Sequence, residues 1–173
     1  MVLHRDQAIQ FVTLYELAAM DSAARAAMLL NVWPPDPALS AESSIMVQTN
    51  ASAADVPEDS DSPRHNWLLL DGLRLPYGGV KNAYLAFKLK QLFCFEGIVE
   101  GSPMLLKACT CCGYRTITDQ GYDVCPLCSW EDDGVTNETA YSSVNHGTLG
   151  AYRSRFAATP HSQEELIRFP KAV

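Results

Sequence analysis

The fold is decided by residues 109–133, CTCCGYRTITDQGYDVCPLCSWEDD, which hold five of the six cysteines of the chain. Cys109 and Cys112 form one C-x-x-C pair, and Cys125 and Cys128 form a second, with twelve residues between the pairs. Each C-x-x-C turn supplies two thiolates from one short loop, so two turns supply the four soft ligands of a tetrahedral site. The spacing therefore predicts a zinc ribbon that holds one structural zinc ion through these four cysteines.

The residues around the four ligands fit the same layout. Gly113 follows the first pair and accepts the positive φ of a tight turn, and Pro126 presets φ inside the second. Residues 114–124 alternate in polarity around a glycine-containing turn at 119–121, which predicts a β-hairpin between the pairs. Each C-x-x-C turn, residues 109–112 and 125–128, is called a knuckle below. Trp130 comes two residues after the last ligand, where we expect it to pack on the second knuckle and shield the metal from water.

The pattern fits other uses of these cysteines, disulfides or a redox motif, less well than it fits a zinc site. Two disulfides need an oxidising compartment, which no secretion-signal pattern in the sequence supports, and a thioredoxin-like motif needs only one C-x-x-C pair. Cys111 is ambiguous, because it could replace Cys109 or Cys112 as a ligand or point off the knuckle as a spare thiol. Cys94 lies in the apolar context LFCFEG and is predicted to be a small core residue.

The motifs CTCCGYRT and CPLCSWEDD resemble those of the bacterial cysteine-rich CPCC family, whose pattern is CPCCGY…CPVCxWEDD. Thr110 replaces the usual proline and leaves the ligands intact. Further resemblance lies in the helical start, in GVKNAYLAFKL at 79–89 and in SSVNHGTLGAYRSRF at 142–156. The resemblance implies a bacterial protein that bears a zinc ribbon, and it implies no common biochemical role.

Length and composition set the outer limits. The chain has 173 residues, is 47% hydrophobic and carries a net charge of −7, which suits one domain or a small core with an appended module. It has no apolar run long enough for a membrane span and no signal peptide pattern, so we expect a cytoplasmic protein. An acidic chain is poorly suited to nucleic acid and better suited to a basic protein surface, although mild acidity also serves solubility.

Hydrophobic patterning predicts an α+β fold. An N-terminal helical hairpin and a central helix pack with a C-terminal zinc-ribbon β-hairpin, which short helices follow. The predicted segments are a helical hairpin over 1–33, an acidic Pro/Ser/Ala linker over 34–66, an apolar segment and main helix over 67–104, and a zinc-ribbon module over 105–173. The first helix is predicted over residues 5–19, the second from Asp21 or Ser22, the main helix over 81–94 and a strand over 97–100.

Several local signals refine these elements. Asp6 can cap the first helix or favour its dipole, and Trp33 is expected to pack near the end of the second. The apolar run after Trp67 could be a short buried strand or a helical turn. Near the C-terminus, Thr148 is predicted to cap one helix, and Ser162 and Glu165 to form the capping box of another. His146 is expected to be an ordinary loop histidine.

Acidic side chains form two groups that could contact a partner. The linker carries six acids against Arg64, and three acids follow the second cysteine pair. The partner-binding candidates are Asp55, Glu58, Asp59, Asp61, Glu131, Asp132 and Asp133. The alternative is that these charges are exposed to solvent and contact no partner. Carboxylates adjacent in sequence do not face each other across a substrate, so this run does not predict catalysis.

No nucleophile–base pair, phosphate cradle or open metal site is apparent in the sequence, so we expect a protein that binds rather than catalyses. The partner is expected to be a protein with a basic surface. The function that we favour is an immunity protein that neutralises an antibacterial toxin. The alternatives are a nucleic-acid-associated zinc ribbon and a thiol-based redox or metal sensor that uses Cys111.

Overall fold

The computed structural model describes residues 1–32, 59–118 and 122–172. Short strands and helices occur in separate runs along the chain, in an α+β arrangement. In chain order, the elements are β1 (Val2–His4), α1 (Arg5–Ala19), α2 (Ser22–Val32), a 3₁₀ turn (Pro63–His65), α3 (Asn66–Arg74), a 3₁₀ turn (Leu75–Tyr77), α4 (Asn82–Phe93), β2 (Ile98–Glu100), β3 (Lys107–Ala108), β4 (Arg115–Ile117), β5 (Tyr141–Ser142), β6 (Gly147–Thr148), α5 (Leu149–Ala158) and α6 (Gln163–Arg168).

The first two helices form where the sequence predicts them. Helix α1 has the predicted bounds, but its N-cap is His4 rather than Asp6, because the His4 side chain accepts from the backbone N–H of Asp6. Helix α2 is capped by Asp21, whose carboxylate accepts from the N–H of Ala24 at 2.8 Å. Both helices pack against α3. The predicted packing of Trp33 at the end of α2 lies outside the described residues.

Helix α3 settles the open choice for the apolar run after Trp67, which could be a strand or a helical turn. Leu68, Leu69 and Leu70 are buried there and form a small core with Leu17 and Leu29 of the first two helices. The consecutive leucines are all buried because α3 is covered on more than one side.

The main predicted helix is α4, which carries the buried Tyr84, Leu85 and Leu89. It ends at Cys94, whose φ of 53° is left-handed. The prediction that Cys94 is a core residue is wrong, since its side chain is exposed. An apolar sequence context does not fix burial at a C-cap, where the chain turns away from the helix face.

The strand predicted over 97–100 is confirmed as β2, and its partner is the N-terminal strand β1, which the sequence analysis did not identify. The two pair in parallel, with Leu3 opposite Val99. The buried guanidinium of Arg5 donates to the carbonyls of Tyr77 and Gly78 at 2.6 and 2.9 Å. These contacts hold the start of helix α1 against the segment that precedes helix α4.

One larger core joins the helical part to the cysteine-rich part. It runs from Val12 and Leu85 to Ile117, Trp130 and Leu149. The C-terminal helices close it, and their predicted caps are present: Thr148 caps α5, and Ser162 forms a capping box with Glu165 on α6. Within the described parts of the chain, no helix is both long and apolar enough to cross a membrane.

Candidate metal centre

The structure brings together the four cysteines that the spacing predicts. The sulfurs of Cys109, Cys112, Cys125 and Cys128 all lie within 4.8 Å of one another. The Cys109–Cys128 and Cys112–Cys125 sulfur pairs are each 3.6 Å apart. Four thiolates at such spacing match the donor set of a tetrahedral cation site. The arrangement therefore fits a metal ion, and zinc as that ion stays a prediction.

The first knuckle is a closed turn stabilised by two backbone hydrogen bonds. The N–H of Gly113 donates to the carbonyl of Cys109 at 2.9 Å, and the N–H of Cys109 donates to the carbonyl of Tyr114 at 2.8 Å. Gly113 has a φ of 76°, which a glycine adopts without the steric cost of a Cβ. This confirms the reason for a glycine at that position.

The second knuckle has the same backbone structure as the first knuckle and lies sixteen residues further along the chain. The N–H of Ser129 donates to the carbonyl of Cys125 at 2.9 Å, and the N–H of Cys125 donates to the carbonyl of Trp130 at 2.8 Å. Ser129 takes the left-handed conformation of Gly113, with a φ of 58°. The two C-x-x-C pairs thus build the same local structure twice.

The predicted β-hairpin between the cysteine pairs needs correction. Strand β4 pairs with β3, which precedes the first knuckle, and Val124 forms an antiparallel bridge with Glu131, beyond the second knuckle. Each knuckle is therefore the turn of its own short hairpin, and the predicted turn at 119–121 lies outside the described residues. The alternation in the sequence marked strand β4 correctly, but the second predicted strand is only the bridge at Val124, and alternation could not show which neighbour each segment pairs with.

An aromatic side chain follows each knuckle and packs on α5. Trp130 is fully buried, and its ring centroid lies 5.0 Å from that of Tyr152 in an edge-on contact. Tyr114 occupies the equivalent position of the first knuckle and makes an edge contact with Phe156 at 6.4 Å. Trp130 and the cysteines share the main core. This placement fits the predicted role of Trp130 in covering the site, although shielding of a metal stays a prediction.

The four thiols shift one another's pKa through the hydrogen bonds between them. Hydrogen bonds from the Cys109 and Cys112 thiols lower the pKa of Cys125, and the hydroxyl of the buried Thr116 also lies 3.1 Å from the Cys125 sulfur. Donation to Cys109 and Cys125 raises the pKa of Cys112. The hydrogen bonds that stabilise the Cys125 thiolate therefore keep the neighbouring thiols protonated. A cation has to compensate the charge before all four ionise.

Cys111 lies beside the four-sulfur cluster and is not one of its members. It is buried, and a hydrogen bond donated by the Cys128 thiol lowers the pKa of Cys111. Arg153 of α5 holds this loop, because its guanidinium donates to the carbonyl of Thr110 at 2.8 and 3.3 Å. Of the two predicted roles, the spare thiol is the one that this geometry fits.

The acidic run after the second knuckle is largely engaged in the fold. Asp132 is buried and pairs with Lys107 at 2.8 Å, which corrects the expectation that it lies on a partner-binding surface. Asp133 accepts from the N–H of Val135 at 3.1 Å. Glu131 is partly exposed, and its backbone N–H and carbonyl bond to the side chain of Asn145, each at 2.9 Å. Only Glu131 and Asp133 of this run remain accessible to a partner.

The linker acids divide between described and undescribed residues. Asp59 and Asp61 are exposed over about half or more of their side chains, 54% and 65%. Asp59 bonds to Arg64 at 2.8 Å, and Asp61 accepts from the hydroxyl of Ser22 at 2.7 Å. The candidates Asp55 and Glu58 lie outside the described residues.

Sequence reasoning missed three residues that position the site: Thr116, Asn145 and Arg153. Each acts through a contact with a residue far along the chain or in another element. The composition of residues 145–147, Asn-His-Gly, is typical of a turn and was the one local signal. It could not show that the Asn145 side chain bonds to the backbone of Glu131, fourteen residues away. His146, which the sequence left as an ordinary loop histidine, is not part of the four-sulfur cluster.

Two knuckles that bring four cysteine sulfurs together define a protein with a tetracysteine site of the kind that binds metal ions. Residues 107–171 match the family model described as Cysteine-rich CPCC, so this part of the chain is similar to that family. The match includes both knuckles and helices α5 and α6. No curated protein and no solved structure matches the chain.

Proposed function

We propose that this protein binds one structural zinc ion through Cys109, Cys112, Cys125 and Cys128, and that it acts by binding another protein rather than by catalysis. The observation that carries the proposal is the four-sulfur cluster, in which the first three cysteines are buried. When four protein thiolates fill a tetrahedral shell, no position is left for a water or a substrate. Such a site supports a fold rather than a reaction.

The short strands around the cluster support a structural role for the metal. Strand β3 has two residues and β4 has three, and Val124 and Glu131 form only an isolated bridge. Hairpins this short are marginal in water without further support. A zinc ion that joins both knuckles supplies that support, because its binding free energy becomes folding free energy.

Elemental analysis of the purified full chain tests the metal. We expect one zinc per chain, and loss of folded structure around Trp130 when a strong chelator removes it. Iron in place of zinc, or a chain free of metal that keeps its thermal stability, would contradict the proposed centre. Trp130 is next to the site, since its backbone carbonyl accepts a hydrogen bond from the N–H of Cys125, and its fluorescence is measured in a variant with Phe in place of Trp33 and Trp67.

A face beside the second knuckle supports the binding role. Tyr122 and Val124 are 74% and 58% exposed, and Val124 lies opposite Glu131 in an antiparallel bridge. Directly opposed residues of such a pair present their side chains on the same side. Val144 is 42% exposed and adjoins Asn145, which is bonded to Glu131. Exposed apolar side chains beside a carboxylate fit a partner surface that is apolar with a basic rim.

The most specific form of the proposal is an immunity protein for an antibacterial toxin. Its support is the net charge of −7 together with an accessible acid beside exposed apolar side chains. A toxin that acts on nucleic acid presents a basic active surface, to which an acidic inhibitor is complementary. The candidate partner is the protein encoded by the adjacent gene.

Co-expression with that neighbour tests the immunity role. We expect the neighbour to be toxic alone and harmless with this chain, and Glu131→Lys to slow association and reduce protection without loss of metal. Glu100→Lys is the matched control, because Glu100 is an exposed acid on β2 and the charge change is identical. A neighbour that is harmless alone, or that does not bind the purified protein, would contradict the immunity role and leave the metal centre untouched.

A further inference from the structure

A surface pocket of about 440 Å³ lies in the helical part of the molecule, where helices α1, α2 and α3 meet. None of the described residues that line it belongs to either knuckle. Small-ligand sites are typically apolar pockets of about 300–1,000 Å³ that contain a few polar groups. This pocket has that size and that kind of lining, and its apolar walls are Leu14, Leu17, Ala18, Met20 and Pro63.

The cation of this pocket is Arg25, which is buried, with 9% of the residue exposed. Its Nε donates to the carbonyl of Ser60 at 3.0 Å, and its Nη2 donates to Oδ1 of Asn66 at 2.7 Å. A guanidinium carries five N–H donors. Within the described parts of the chain, Nη1 donates to no residue. Its two N–H groups are therefore left for solvent or for a molecule in the pocket.

The charge of Arg25 is only partly compensated. The described residue with a carboxylate within ion-pair distance is Asp61, whose Oδ1 lies 3.7 Å from Nε. Charge-assisted bonds between a guanidinium and a carboxylate are shorter, about 2.7–2.9 Å. Asp61 is 65% exposed, and its Oδ2 accepts from the hydroxyl of Ser22 at 2.7 Å. Among the described residues the buried cation thus lacks a close anionic partner, which a carboxylate in the pocket would supply.

The outer face of α1 extends the apolar wall of the pocket. Phe11, Leu14 and Tyr15 are exposed, and Ala18 is exposed one turn further on. Side chains three and four residues apart are neighbours on a helix, so this stripe leads into the pocket through Leu14 and Ala18. Phe93 of α4 widens it, since its ring centroid lies 5.7 Å from that of Tyr15. An apolar tail that leaves the pocket therefore has apolar side chains to lie against.

We propose that this pocket binds a carboxylate that carries an apolar tail, with the carboxylate paired to Arg25 and the tail packed on Leu14, Leu17 and Ala18. A planar carboxylate matches the fork of a guanidinium in two parallel hydrogen bonds. Two sources supply this chemistry: a free aliphatic acid, and the C-terminal carboxylate of a peptide that ends in an apolar residue. The site is a second one, which requires neither the metal nor the basic partner proposed above.

Titration of the purified full chain with sodium hexanoate tests the site, with the amide chemical shifts of the residues that line the pocket as the measurement. We expect saturable binding, and binding of octanoate that is several-fold tighter, because each added methylene buries more apolar surface. Hexanamide has the same tail without the charge, and acetate has the charge without the tail. Both should bind at least several-fold more weakly than hexanoate.

Variants separate the pocket from its surroundings. Ala18→Phe fills the pocket from an exposed helical position and should abolish hexanoate binding, whereas Ala19→Phe is the matched control on an exposed neighbour that does not line the pocket. Asp61→Asn removes the competing charge and keeps an acceptor for Ser22, so it should tighten binding several-fold. Arg25→Lys keeps the charge without the fork and should weaken binding. If Arg25→Lys proves unstable, Ala18→Phe and Asp61→Asn still decide.

A comparison of N-acetyl-alanyl-leucine with hexanoate distinguishes the two sources. Tighter binding of the dipeptide, lost in its C-terminal amide, assigns the site to a peptide terminus, and any other ranking assigns it to a free acid. Failure of hexanoate to bind, equal binding of hexanamide, unchanged binding in Ala18→Phe or weaker binding in Asp61→Asn would each overturn the inference. None of these measurements depends on zinc content, so this proposal and the metal centre can fail separately.

Discussion

The two knuckles have the same backbone hydrogen bonds but different side chains at four equivalent positions. The equivalent pairs are Thr110 and Pro126, Cys111 and Leu127, Gly113 and Ser129, and Tyr114 and Trp130. The hydrogen bonds that close each turn agree within 0.1 Å at both equivalent pairs, 2.9 and 2.8 Å. The ligand geometry therefore depends on the spacing C-x-x-C and the turn. The side chains around it set the packing, strain and reactivity of each half.

Removal of a ligand should produce the largest effect and should be the same in either knuckle. Cys112→Ser and Cys128→Ser each leave three thiolates, and the free energy of zinc binding at such sites is about 10–16 kcal/mol. We expect both variants to lose the metal and to unfold at a much lower temperature. Elemental analysis and thermal unfolding measure this, with Cys94→Ser expected to behave as the wild type.

A difference between those two ligand variants would be informative. If Cys128→Ser keeps its metal while Cys112→Ser loses it, the neighbouring thiol of Cys111 has taken the vacant position. The two knuckles would then not be equivalent, and Cys111 would be a replacement ligand.

The second effect in size comes from the aromatic side chains that join the knuckles to α5. Trp130 is fully buried and Tyr114 is 8% exposed, so truncation of Trp130 leaves the larger cavity. We expect Trp130→Ala to lower the free energy of unfolding by about 3–5 kcal/mol, and Tyr114→Ala to lower it by less. Trp130→Ala should also speed transfer of the metal to a chelator.

Denaturant unfolding and chelator kinetics check this ranking. Trp130→Phe is the matched variant, because it keeps an aromatic ring against Tyr152 and only replaces the indole by the smaller phenyl ring. Chelation as slow in Trp130→Ala as in the wild type would show that Trp130 packs the core without protecting the metal centre.

The sequence predicted the features that depend on local spacing. The ligand set, the bounds of α1 and the caps of α5 and α6 each follow from residues within one or two turns of each other. The left-handed turn at Gly113 could also be predicted, since glycine favours a positive φ. The sequence gave no such signal at Ser129, because serine does not favour the left-handed φ that the same turn imposes on it.

Long-range contacts could not be predicted in the same way. The parallel pairing of Leu3 with Val99 joins segments almost a hundred residues apart, and two- or three-residue strands carry too little pattern to specify a partner. The burial of Asp132 depends on its ion pair with Lys107, 25 residues earlier in the chain. A charge in a polar run is normally exposed, and only the folded structure shows its partner.

The smallest effect concerns strain at the position after each knuckle, and it should have opposite signs in the two halves. Gly113 has a φ of 76°, and a Cβ added there would meet only the Cε of Lys171, at 4.0 Å. Gly113→Ala therefore adds the backbone cost of a left-handed L-residue, about 1–2 kcal/mol, without a clash. Ser129 already bears this cost at a φ of 58°. Ser129→Gly removes it, and the greater freedom of the unfolded chain offsets about 0.4–1 kcal/mol of the gain.

We accordingly expect Gly113→Ala to destabilise the protein and Ser129→Gly to stabilise it by a smaller amount, as measured by denaturant unfolding of the metal-loaded chain. Gly134→Ala is the control for backbone cost alone, because Gly134 has a φ of 83° and no atom lies within 4 Å of an added Cβ. If Gly113→Ala costs no more than Gly134→Ala, the knuckle adds nothing to the intrinsic cost of the left-handed residue. If Ser129→Gly destabilises the protein instead, the Ser129 side chain contributes a contact that outweighs its strain, and the two knuckles differ in more than conformation.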